Sequence, residues 1–187
     1  MCAHTGGGMN IATTSLCDSY LDGEALSRYK KGYILGSGSI ISCYLGTNYG
    51  YRGELIPDKY TTDESLAVCL VNDIEMRWQP GYVTRVLLNY QDEQTKLIPY
   101  WDNSTLYKLN TEKVLASVYL KPEKALMVIG SQTEDTSDCT ISVSRLLKRL
   151  PVGVKASNAV TGEAVDIKQG IVSLEIAGRN WMMIEFK

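Results

Sequence analysis

Histidine and phenylalanine are almost missing from this sequence, which has one of each. With His4 alone, no histidine pair can hold a metal, and any Ser-His-Asp triad would have to use that residue. No GxSxG elbow accompanies it. The five cysteines (Cys2, Cys17, Cys43, Cys69, Cys139) are odd in number and form no CxxC pair. A disulfide framework and a structural zinc site are therefore not expected, and free, mostly buried thiols are. No apolar run approaches the ~20 residues that a membrane span needs. A basic excess is also lacking: 19 Lys and Arg face 21 Asp and Glu, for a net charge of −2. Nothing here would hold a phosphate backbone, so neither nucleic acid nor a membrane is an expected partner. No cofactor and no metal is expected. The first residues lack the basic and apolar regions of a signal peptide. That leaves the compartment open, since a longer parent with a leader would be secreted or periplasmic.

What is present is an ordinary globular composition: 187 residues, 44% of them apolar and 21% charged. Such a chain can bury a sizeable core. Twelve Tyr and three Trp supply rings with polar tips, a usage that suits a polar cleft or a β-rich surface.

The two halves of the chain read differently. From residue 111 onward, short alternating runs follow one another: "KVLASVYLK", "ALMVIGSQ", "CTISVSRL", "VKASNAV", "IVSLEIAG" and "WMMIEFK". Turn residues separate them, among them Thr161–Gly162. The pattern predicts a small antiparallel β-sandwich over 111–187. The strands show no aromatic row on one face, which favours a structural role for the sandwich.

Residues 1–110 are mixed. "GEALSRYKKGYILG" reads as a short helix ending at Gly36, and "SIISCYLG" as strand or helix. "ESLAVCLVND" reads as a buried parallel strand ending in Asn72–Asp73, and "GYVTRVLLNYQ" as the following helix. This is a βα unit, and one or two such units cannot close a barrel. The expected class is α/β followed by all-β.

Several strings carry candidate chemistry. "LGSGSI" lacks the third glycine of a dinucleotide fingerprint, because Ile41 stands there, and "HTGGGMN" lacks the Lys of a P-loop. "CDSYLDGEAL" places Asp18, Asp22 and Glu24 close together. Such carboxylates serve acid/base chemistry or bind sugar hydroxyls; the other reading is a helix start capped by Asp22. "NYGYRGELIP" sets Tyr49, Tyr51, Arg52 and Glu54 between glycines, either as a sugar-holding group or as a turn with a surface ion pair. "KLIPYWDN" reads as an extended segment with Tyr100 and Trp101 on opposite sides, a seam between domains. A sugar platform is the other reading there.

Taken in order, "DSYLDGE", "GTNYGYRGELIP", "VND", "KLIPYWDN" and "VLASVYLKPEKALMVIGSQTEDT" resemble the C-terminal part of bacterial glycoside-hydrolase-like proteins. These are large (β/α)8 barrels with a small C-terminal β-sandwich; family 123-like enzymes are examples. The resemblance implies that 1–110 are the last βα units of an incomplete TIM-barrel-like domain, opening near the seventh strand, and that 111–187 are the sandwich. It implies a carbohydrate partner for the intact protein. His4, Asp18, Asp22, Glu24 and Asp73 would line the sugar face. The catalytic carboxylates of such enzymes lie on the middle strands, so no catalytic residue is assigned here and the chain alone is expected to be inactive. The alternatives are a non-catalytic carbohydrate-binding module and a purely structural sandwich.

Overall fold

The computed structural model describes residues 61–102 and 105–187 in full, and residues 2–4, 19–22 and 52–55 as strand backbone. The described residues are mostly β-structure with few helices. They divide into two compact units, Met1–Gln79 and Pro80–Lys187.

The first unit holds a four-stranded sheet in the order β1-β2-β3-β4. Its strands are β1 (Cys2–His4), β2 (Ser19–Asp22), β3 (Arg52–Leu55) and β4 (Glu75–Met76), and all neighbours run parallel. "RGEL" is thus a strand, where the turn reading of that string had placed a loop. Spatial order follows chain order, as it does when every crossover winds the same way. The expectation of one or two βα units is too small: four parallel strands are present. The readings of "GEALSRYKKGYILG" and "SIISCYLG" fall outside the described residues.

The apolar run before Asp73 is not a strand. It forms helix α1 (Thr62–Cys69), continued by a 3-10 turn over Leu70–Asn72. A capping box starts it. The Thr61 hydroxyl accepts from the Glu64 amide at 3.2 Å, and the Glu64 carboxylate accepts from the Thr61 amide at 2.9 Å. Asp63 and Glu64 also place negative charge in the first turn. Leu66 to Val71 are buried all round, so the run lacks the alternating polarity that would have marked it as helical.

The second unit is a two-sheet β-structure preceded by helix α2 (Gly81–Leu88), helical as its apolar spacing predicts but in this unit and not in a βα unit of the first. One sheet has the order β11-β10-β14-β8-β7-β5 and the other β12-β13-β9-β6. The first contains β5 (Lys96–Ile98), β7 (Val114–Leu120), β8 (Ala125–Ser131), β10 (Ala156–Asn158), β11 (Ala164–Val165) and β14 (Trp181–Phe186). The second contains β6 (Lys108–Leu109), β9 (Ser137–Ser142), β12 (Ile167–Lys168) and β13 (Ile171–Ile176). All pairs are antiparallel. β5 and β6 lie before residue 111 yet belong to these sheets.

Val114, Ala116, Val118, Met127, Ile129, Ile141, Val172, Ile184 and Phe186 form the core between the sheets. β8 is buried at every position, as its apolar run Ala125–Ile129 requires, with Ser131 buried at its end. Its other face, with Leu126 and Val128, lies in register with Ser117, Tyr119, Met183 and Glu185. Residues 80–102 pack there. Tyr90 meets Tyr119 at a 6.5 Å ring separation and donates its hydroxyl proton to Glu185 at 2.9 Å. The Tyr100 amide donates to the Ser117 hydroxyl at 3.0 Å. Lys121, nearly buried, donates to the Asn89 carbonyl and pairs with Asp92 at 2.5 Å.

Candidate functional site

In a parallel sheet the strand carboxyl ends share one edge, and ligands of open α/β sheets bind outside that edge. Here the edge is formed by His4, Asp22, Leu55 and Met76, the last residues of β1 to β4. Asp22 shares its register row with Leu55 and Met76. His4 lies one row back, aligned with Leu21, Glu54 and Glu75. Two of the five residues expected at a sugar face are therefore brought to the ends of neighbouring strands, one register row apart. Asp18 and Glu24 lie outside the described residues.

Asp73 is elsewhere. It precedes β4, two residues before Glu75, and so sits at the opposite end of the sheet from His4 and Asp22. Its expected place rested on a strand ending in "VND", and that segment is the end of a helix. Asp73 adopts a left-handed conformation (φ 54°), and its amide donates to the Leu70 carbonyl at 3.4 Å, closing the 3-10 turn. Asp and Asn tolerate that conformation better than most residues.

The residues that leave β4 at the proper edge are Arg77 and Trp78. The sequence reading passed over them. The Gln79 amide donates to the Met76 carbonyl at 3.0 Å, so residues 76–79 make a tight turn. Trp78 is 76% exposed with φ at 60°, and the Arg77 guanidinium stands 5.8 Å from its ring centroid. The signal open to the eye was "RWQPG", a Trp beside Arg just ahead of a Pro-Gly turn.

The second unit offers less. Tyr100 and Trp101 are not in an extended segment but in a 3-10 turn (Tyr100–Asp102), where the rings meet edge to face at 4.8 Å. Trp181 is half-buried and stacks on Tyr82 at a ring separation of 6.4 Å. The outer face of the smaller sheet presents Asp138, Thr140 and Ser142 beside Ile171, Ser173 and Glu175. It carries no aromatic row among the described residues. No group of three or more metal-ligating side chains occurs among the described residues. No described helix is long and apolar enough to cross a membrane.

No known protein family's model matches the chain, and no curated protein matches it. Solved structures do. The maltogenic α-amylase AmyB from Thermotoga neapolitana matches 99% of this chain and 54% of its own at 11% identity, with a TM-score of 0.53. The GH27 β-L-arabinopyranosidase Abp from Geobacillus stearothermophilus (variant D197A) matches 98% of this chain and 49% of its own at 10% identity, TM-score 0.54. A putative α-N-acetylgalactosaminidase from Bacillus halodurans matches 92% and 46% at 12% identity, TM-score 0.52. The chain spans about half the length of these structures. At such identities the likeness is one of fold, and the fold is one that glycoside hydrolases carry.

Proposed function

We propose that this chain is the C-terminal portion of a glycoside-hydrolase-like protein, with a sugar-facing edge on its first unit and an accessory β-sandwich in its second. The observation that carries the reading is the match of nearly the whole chain to about half of each of three glycosidases. Four parallel strands in chain order are what the second half of a (β/α)8 barrel would contribute. β1 would then be a fifth barrel strand rather than a seventh. His4 and Asp22 would hydrogen-bond sugar hydroxyls at the carboxyl edge, with Asp18 and Glu24 from the adjoining segments. Hydrolysis needs two carboxylates flanking the bond, and in this reading that pair lies on strands outside this chain.

A calorimetric titration of the 187-residue chain with maltotriose, L-arabinose and N-acetylgalactosamine tests the reading. Binding to one of them at about millimolar strength, weakened by Asp22→Asn, is the expected result. No heat with any of the three counts against it. Turnover of aryl glycosides by the chain alone, lost in Glu24→Gln, would overturn the assignment of catalysis to other strands. For the sandwich, the polar, ring-free outer face of β9 and β13 favours an accessory role over a separate binding module.

A further inference from the structure

Trp78 is third of the four residues in the turn that follows β4, with φ at 60°. When that place takes a positive φ, it normally goes to Gly or Asn. For a bulky aromatic the left-handed region is an outlier, and such outliers collect at ligand clamps and binding sites. Burial does not offset the strain, because the ring is 76% exposed. The Arg77 guanidinium, 5.8 Å from the ring centroid, braces the indole by a cation–π contact. The turn leaves the same edge that carries His4 and Asp22.

We propose that Trp78 is a stacking platform for a pyranose ring. Its exposed indole would take the apolar face of one sugar ring, and further rings of an oligosaccharide would extend along the edge toward Asp22 and His4, two and three strands away. The proposal rests on the carbohydrate reading above and adds the residue and the ring face that it recognises. A structural role explains the site less well. Gly would make the same turn without strain, and a Trp that is three-quarters exposed adds little core.

The test is a titration of the 187-residue chain with maltotriose and with methyl β-L-arabinopyranoside, followed through its three indole N–H resonances. Single substitutions of Trp78, Trp101 and Trp181 assign the signals. One of the sugars should move the Trp78 signal saturably and leave Trp101 and Trp181 in place. Trp78→Ala should weaken binding roughly three- to tenfold, as loss of one ring contact does, and Trp78→Phe should recover part of it. Trp78→Gly should bind as poorly as Trp78→Ala yet melt at a higher temperature, which separates lost binding from lost fold. Binding that survives Trp78→Ala, or shifts confined to Trp101, would overturn the platform and leave the carbohydrate reading standing. No response from any signal with either sugar would overturn the platform, and the absence of heat with maltotriose, L-arabinose and N-acetylgalactosamine as well would overturn both.

Discussion

Glu185 lies on the sheet face that residues 80–102 cover, and three neighbours keep it charged there. Burial pushes its carboxyl pKa up. Hydrogen bonds from Lys187 and Tyr90, with the positive charges of Lys187 and Lys124, outweigh that and leave it below the ordinary range. The Lys187 ammonium is 2.5 Å from one oxygen, and the Tyr90 hydroxyl 2.9 Å from the other. Asp92 is lowered too, chiefly by its hydrogen bond from Lys121. A carboxylate with a depressed folded pKa stabilises the fold above its unfolded pKa, and that stability is lost as pH falls through the folded value. Stability should therefore hold near neutrality and decline below about pH 4. Tyr90→Phe should cost ~1–2 kcal/mol at pH 7 and make the acid decline shallower, because Glu185 loses a donor and its folded pKa moves back toward the unfolded value. Urea melts at neutral and acid pH measure both, and superimposable curves for the two proteins would contradict the account. At this scale the sequence was informative where chemistry alone decides. Cys69 and Cys139 are free and buried, with burial pushing both thiols up. For Trp78 it offered only the string "RWQPG", and the residue's interest lies in a backbone angle that no composition reveals.

Elements were legible where polarity alternates or, as in β8, where a short apolar run lies between turn residues. β7, β8, β9, β13 and β14 lie where their patterns put them. Helix α2 follows its apolar spacing, with Val83 fully buried. α1 was misread because an apolar run buried on all sides has no period, and only its cap separates helix from strand. The cap is written in "TTDE": Thr61 and Glu64 satisfy each other's amides. Thr61→Ala should therefore destabilise the chain by about 1 kcal/mol. Thr61→Ser, which keeps the hydroxyl of the box, should cost only a few tenths of that. Thermal melts of the two variants decide. Equal, negligible losses would mean that burial of Leu66 to Val71 alone holds the helix. The misread element also misplaced Asp73, since a residue after a strand and a residue before one lie at opposite edges of a sheet.

For the whole molecule, the order of α/β then all-β was readable, while the joint between them was not. β5 and β6 are too short to announce themselves, and "GYVTRVLLNYQ" looks like part of the α/β segment although it packs on the sandwich. A piece comprising 80–187 should fold cooperatively and stay monomeric, because it keeps the cover over Leu126, Val128 and Met183. A piece comprising 111–187 loses that cover. It would expose side chains whose burial contributes ~1.5–3 kcal/mol each, so it should aggregate. Sedimentation of the two pieces distinguishes these outcomes, and a monomeric, folded 111–187 would contradict the packing described. The first unit makes a larger demand. Among the described residues its four parallel strands pair with no further strand at either edge, and barrels close such edges by adding strands. The most direct test of the central claim is the intact mass of the protein purified from its native source. The account predicts a mass about twice the 20.7 kDa of this chain, as its half-length match to glycosidases implies. A native mass of 20.7 kDa would contradict it.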